Sequence, residues 1–368
     1  MTLRWGDYVF AGGGESEAAE MVGAATNAEH RSAFVLGVGF DPRCLVGLKA
    51  FLEATDEANP LVVRVELPTP DASAQRLTTQ LAADHEREFL DLTSSIEVVS
   101  ISYPEVTNAS SAGPTIARSL TEPSLLSGVG HLVVDVSSLP TSLFFPILKA
   151  ALSVADRGDL DADSFSGDLQ VVACENPEMD RAIVPLGVAS ASYVGGFRPL
   201  EHDPAEGGGT TVWAPVVGEN SEAALRAVHT LLEPDDVCPV LPFPAVNPRR
   251  ADALVLEHQV ALFDAFQVRS SDLLYADEQN PFDLYRALCA LERDYKQALV
   301  PLQPTMIAVS SHSSKLLSLG VLLAAYERGM PILAADGLDY EITEDFDLGS
   351  VHSANRLCCL WLTGAPYQ

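Results

Sequence analysis

The residues most suited to chemistry form the run Ser310-Ser311-His312-Ser313-Ser314-Lys315, where consecutive hydroxyls precede a lysine at the opening of an apolar helical pattern. Hydroxyls donate to an anion, and an ammonium at a helix start opposes the dipole, costing roughly a few tenths of a kcal/mol unless an anion sits alongside. The plain alternative is a solvated lysine. His312 has the type of a general base and equally that of an ordinary polar loop residue. A second run, Asp135-Val136-Ser137-Ser138-Leu139-Pro140, ends the apolar stretch Leu132-Val133-Val134. In an extended chain Asp135 and Ser137 share a face and Ser138 begins the turn. A carboxylate closing so apolar a run needs a partner: a ribose or base, or the amides of the following loop.

Three further constellations have binding chemistry. Gly37-Val38-Gly39-Phe40-Asp41-Pro42-Arg43 follows a strand pattern and leads into a helix, but lacks the third glycine of the dinucleotide fingerprint. Asp41 and Arg43 either line the crevice of a sheet, accepting from a sugar and donating to an anion, or cap the helix and pair with each other. Asn247-Pro248-Arg249-Arg250 places two arginines at a helix start, conspicuous in so acidic a chain. They clamp an anion or pair with surface acids. In Glu278-Gln279-Asn280-Pro281, Glu278 and Asn280 are candidates to read a base or sugar edge, while Phe282 and Tyr285 suit a core.

The elements that must position these residues repeat. His131–Leu152 and Thr305–Tyr326 align without a gap, Ser137 on Ser311 and Ala150-Ala151 on Ala324-Ala325. Each reads as a strand, a hydroxyl-rich turn and a helix, which puts the turn at the carboxyl end of a strand, where α/β sheets bind ligands. Strand patterns at Ala33–Phe40, Leu61–Leu67, Ile96–Ser102, His131–Val136 and Leu169–Cys174 alternate with helical patterns at Pro42–Ala54, Ala74–Leu92, Pro114–Leu126 and Pro140–Ala155. The alternation resumes with strands at Thr211–Val217, Val237–Pro242, Asp272–Ala276, Thr305–Ser310, Ile332–Ala335 and Arg356–Leu362. Its helices are Ser221–Leu232, Arg249–Gln267, Pro281–Leu299 and Ser314–Arg328. The last has a serine cap, Gly329 just beyond its end and Pro331 after that, a complete stop signal. The pattern predicts an α/β protein of two tandem Rossmann-like lobes, with mainly parallel sheets covered by helices on both faces. The lobes are expected at 1–205 and 206–368, divided in an irregular region with a His202-Asp203-Pro204 turn and Gly207–Gly209.

Composition narrows function. With 51 acidic against 22 basic residues the formal charge is −29, a field that repels phosphate backbones and disfavours bulk nucleic-acid binding. No apolar stretch reaches the length of a membrane span, and the start has no signal-peptide pattern, so a cytoplasmic protein with no membrane partner is expected. The six cysteines are scattered, without C-x-x-C pairs or metal-ligand spacing, as reduced core residues are. No metal and no cofactor are expected. Nucleophile-elbow, phosphate-loop and zinc-protease motifs are absent, which tilts the reading toward binding rather than catalysis.

The two repeated turns resemble those of the CARF family, the CRISPR-associated Rossmann fold. Val309-Ser310-Ser311-His312-Ser313-Ser314-Lys315, followed by Leu319-Gly320 and Ala324-Ala325, is the closer match, and Asp135-Val136-Ser137-Ser138 the looser one. His312 and Ser313 stand where that family has a glycine pair. The resemblance implies binding of cyclic or linear oligonucleotide signals and control of an effector in prokaryotic antiviral defence, with Ser313, Ser314 and Lys315 holding ligand phosphates. The leading expectation is a sensor or adaptor binding a small nucleotide-type anion, with a protein partner or a second copy completing the assembly. The alternatives are a transferase or hydrolase acting on nucleosides or nucleotides, with Asp135, Glu278 or His312 as acid or base, and an acidic interaction component of a larger complex.

Overall fold

The computed structural model describes residues 2–26, 30–55, 60–67, 76–104, 109–157, 167–188, 190–199, 209–299, 304–343, 346–347, 349 and 354–367. The expected lobe boundary at 205, the His202-Asp203-Pro204 turn, Gly207 and Gly208, and the expected helix start at Ala74 lie outside the described residues.

In chain order the elements are β1 (Val9–Ala11), α1 (Glu15–Ala24), β2 (Arg31–Gly37), α2 (Val46–Ala54), β3 (Leu61–Val65), α3 (Arg76–Leu92), β4 (Glu97–Ile101), α4 (Ala109–Leu120), α5 (Pro123–Leu126), β5 (Val129–Asp135), α6 (Thr141–Arg157), β6 (Asp168–Glu175), α7 (Pro177–Ala182), β7 (Ile183–Pro185) and β8 (Ser192–Tyr193). There follow β9 (Thr210–Val216), α8 (Glu222–Leu232), β10 (Asp236–Val237), β11 (Val240–Pro242), α9 (Arg250–Glu257), a π-helical turn at Val260–Ala265, β12 (Leu274–Ala276), α10 (Pro281–Leu299), β13 (Thr305–Ser311), α11 (Lys315–Arg328), β14 (Leu333–Ala334), β15 (Tyr340–Ile342) and β16 (Arg356–Thr363).

The chain divides into two compact units: residues 7–184 with 339–368, here the first unit, and residues 185–338 with 1–6, the second. The first holds a seven-stranded sheet in the order β1-β16-β6-β5-β2-β3-β4. Strands β2 to β6 are parallel, while β16 and β1 add an antiparallel edge. Seen from β2, the chain builds β3 and β4 on one side and then crosses to build β5 and β6 on the other, so the Rossmann switch point falls between β2 and β5. In β2 every residue from Ser32 to Gly37 is buried. Because successive side chains alternate faces, an unbroken buried run means that both faces are covered. Helices α1, α2 and α3 cover Phe34 and Leu36, with the Phe51 ring tilted at 37° and its centroid 4.9 Å from that of Phe34, and Phe89 in the same core.

The second unit repeats this order. Strand β9 is central, β10, β11 and β12 lie to one side, and β13 lies to the other, all parallel. A parallel bridge from Val309 to Ile332 continues the sheet beyond β13. In the first unit His131 faces Ser32, and in the second Thr305 faces Thr210, so the two sequence repeats hold the same place beside the central strand of their own sheets. Trp213, Phe266, Leu225 and Leu262 centre this unit's core.

Several boundaries differ from expectation for identifiable reasons. The strand expected over Val237–Pro242 breaks between β10 and β11 because Pro239 has no N–H for the ladder. The helix expected over Arg249–Gln267 ends at Glu257 and resumes as a π turn. Ser314 caps α11 by accepting from the Leu317 N–H, and Gly329 closes it in the left-handed region at φ 67°. The strand expected to finish the second lobe, β16, pairs with β6 of the first sheet.

Candidate functional site

The loops leaving the carboxyl edge of the second unit's sheet run from β9 through Gly218 and Glu219, from β11 to Arg250, from β12 through Glu278, and from β13 through His312 and Ser313. The two that flank the switch point press against each other. The His312 N–H donates to Val216 O at 2.9 Å, and a Cβ added to Gly218 would fall 1.8 Å from the His312 carbonyl oxygen. Only glycine permits that approach.

Two histidines, His258 and His312, and three serines, Ser310, Ser311 and Ser313, gather here. The buried His258 imidazole donates through Nε2 to the Gly218 carbonyl at 2.9 Å, because a carbonyl only accepts, and its second ring nitrogen, Nδ1, faces away from that bond. That Nδ1 and the Ser313 hydroxyl are both buried without a hydrogen bond. Ser310 Oγ accepts from the Trp213 indole N–H at 3.0 Å and lies 2.9 Å from His312 Nε2. Desolvation, aided by the neighbouring His258, pulls the half-buried His312 imidazole down to about 4, so it is neutral at pH 7. Ser311 Oγ lies 2.8 Å from Ser318 Oγ on the first turns of α11, whose positive dipole end opens at Lys315.

Of the other sequence-selected residues in this unit, most build the edge. Arg250 reaches Glu219 through Nε and Nη2 at 2.9 and 2.6 Å and Glu278 through Nη1. The second Glu278 oxygen accepts from the Val246 N–H at 2.8 Å. Arg250 and Glu278 are each 3% exposed, so this triad ties three loops together away from solvent. Asn280 Oδ1 accepts from the Phe282 N–H at 3.1 Å and caps α10. Arg249 is solvent-exposed, its N–H donating to Asn247 Oδ1.

In the first unit the corresponding mouth is packed with its own side chains. Asp41 binds the main-chain N–H, Nε and Nη2 of Arg43 at 2.9, 3.0 and 2.8 Å, and Arg43 Nη1 reaches Asp180 at 2.7 Å. Desolvation would lower the pKa of this buried guanidinium, but the two carboxylates outweigh it and hold it above its ordinary value. The paired reading of Asp41 and Arg43 describes this geometry. Asp135 Oδ1 accepts from the Ser137 N–H at 2.8 Å, Ser137 Oγ accepts from the Cys174 N–H at 2.8 Å, and Ser138 Oγ donates to Gly37 O at 2.6 Å. A Cβ on Gly37 would meet Leu139 at 2.7 Å, so the crevice between β2 and β5 is closed. Ser137, expected at a ligand-facing rim, is fully buried.

The first unit instead opens beside this edge. A cleft of about 320 Å³ is lined by Glu15, Pro42, Lys49, His85, Glu88 and Asn355 among others. Lys49 pairs with Glu88 at 2.7 Å, and His85 Nδ1 donates to Gly39 O at 2.7 Å. Lys49, His85, Glu88 and Asn355 were not among the sequence-selected binding residues, nor were Gly218, Glu219 and His258. Gly218 and Glu219 had a usable signal, standing directly between an apolar strand run and the Ser221 helix start. His258 had none, being one position in a continuous helical pattern.

Among the described residues no group of three or more His, Cys, Asp or Glu side chains is placed to hold a metal ion, and no helix is long and apolar enough to cross a membrane. No family model and no curated protein matches the chain. Among solved structures it is similar to a putative universal stress protein from Pseudomonas aeruginosa UCBPP-PA14, at 11% identity, over 83% of this chain and 94% of that one, with a TM-score of 0.23.

Proposed function

We propose that this chain binds a small nucleotide-type anion at the carboxyl edge of the second unit's sheet, between the loops that follow β9 and β13, and acts as a sensor or adaptor. The observation that carries the reading is the pair of buried polar atoms with no hydrogen bond, Ser313 Oγ and His258 Nδ1, on the two sides of the Gly218–His312 contact. Buried polar groups without partners are uncommon in folded proteins, and such groups collect where a ligand completes them. The opening of α11 adds a positive dipole end and the Lys315 ammonium. The likeness of the 309–325 segment to CARF turns supports an oligonucleotide signal as the ligand and antiviral defence as the setting.

Mass spectrometry of the small molecules that copurify with the protein, followed by calorimetry with cyclic and linear di- to tetranucleotides, tests this. Lys315→Ala and Ser313→Ala are each expected to weaken binding at least tenfold, the loss of one charge-assisted or buried hydrogen bond. Nucleotide affinity unchanged in both variants overturns the site. Turnover of the bound nucleotide that Lys315→Ala abolishes while binding persists makes the chain an enzyme instead.

A further inference from the structure

The chain has 22 lysines and arginines among 368 residues, about one position in seventeen. Four of the nine residues lining one cleft in the second unit are basic: Arg286, Arg293, Lys296 and Arg328, against a single carboxylate, Glu292. The cleft has a volume of about 350 Å³, within the range of about 300–1,000 Å³ typical of small-ligand sites. Arg286, Cys289, Ala290, Arg293 and Lys296 follow one another at intervals of three, one, three and three residues, which places them on one face of α10. Arg328, from the last turn of α11, lies at the end of that helix remote from Lys315. The cleft is thus a separate place from the one proposed above.

Each of these cations already has a partner, and Arg286 Nη2 donates to Gly6 O at 2.7 Å. Arg293 pairs with its chain neighbour Asp294 at 2.9 Å, both more than half exposed, and Lys296 pairs with Glu292 one turn back on α10. The Arg293 pair is exposed and worth about 0–1 kcal/mol, less than a multiply charged anion would gain, whereas Glu292 is buried and holds Lys296 in place. Arg328 stands 3.6 Å from Glu327 Oε1, while Glu327 Oε2 is already engaged by the Arg4 N–H and the Tyr285 hydroxyl. Burial holds the Cys289 thiol up at about 11, so it lines the wall as an uncharged group. In a molecule of charge −29 the surrounding field repels anions, and four cations converging on one small concavity reverse it locally.

We propose that this cleft binds a small polyphosphate-bearing anion, with Arg293 and Lys296 as the exposed clamp and Arg286 and Arg328 as its walls. Pyrophosphate is the probe, titrated calorimetrically and by phosphorus NMR into the full chain. Saturable binding is expected, stronger than for inorganic phosphate and weakening as salt is raised. Arg293→Gln/Lys296→Gln is expected to lower affinity at least tenfold, and Arg293→Gln alone, which leaves the pair between Lys296 and the buried Glu292 intact, to lower it by a smaller factor. Arg226→Gln, which removes a like charge from α8, and Lys315→Ala are expected to leave it unchanged. Unaltered binding in the double variant, an equal loss in Arg226→Gln, or the absence of saturable binding overturns the proposal. Loss in Lys315→Ala alone assigns pyrophosphate to the other site and overturns it as well.

Discussion

Replacing Arg250 separates scaffold from ligand clamp. In Arg250→Met the guanidinium that joins Glu219 and Glu278 disappears, and Glu278, 3% exposed, keeps a carboxylate with no cation beside it. Removing one partner of a buried pair costs about 3–5 kcal/mol, mainly through the stranded charge. For a unit of this size, where 1 kcal/mol shifts the midpoint by roughly 2–4 °C, melting should fall by roughly 6–20 °C. Arg250→Met/Glu278→Gln removes the stranded charge and keeps an acceptor for the Val246 N–H, so it should recover at least half the loss. The assay is native-state hydrogen exchange at neutral pH, read on peptides from β9 and β11, which reports opening of this unit without assuming that the whole chain unfolds in one step. A loss below about 1 kcal/mol in the single variant, or a double variant less stable than the single, refutes the claim that the triad ties the loops together.

Gly218→Ala puts a methyl 1.8 Å from the His312 carbonyl oxygen, so the two loops must part; about 1–3 kcal/mol of destabilisation and weaker nucleotide binding are expected, checked by urea unfolding and calorimetry, and wild-type behaviour refutes the close contact. His312 titrates near 4 in the fold against about 6.5 unfolded, so the unfolded chain takes up the proton first and stability falls as pH drops from 6.5 to 4, by at most about 3 kcal/mol. His312→Gln should flatten that interval relative to the parent in urea unfolding at pH 7, 5.5 and 4, and parallel curves refute the shift.

The alternation of apolar runs and helical patterns was enough to read an α/β fold, because burial on both sides of a parallel sheet writes continuous apolar strands such as Leu132-Val133-Val134 into the chain. The repeat at 131–152 and 305–326 was legible too, since the same place beside a central strand demands the same order of apolar and hydroxyl residues. The α11 ends were plain because Ser314 and Gly329 act through local backbone geometry alone. Pairing was not legible. Nothing in Arg356–Thr363 distinguishes an edge of one sheet from another, and only packing against β6 decided it. The fate of polar residues was equally hidden: Asp41, Arg43, Asp135, Ser137, Arg250 and Glu278 look like binding groups one at a time, yet each is spent on a partner two to 137 residues away. Conversely, His258 became notable only when the fold brought it to Gly218, and four scattered basic residues became a site only when two helices packed together. Local propensity is a property of neighbouring residues, whereas satisfaction of a charge or hydrogen bond depends on which distant group the folded chain delivers.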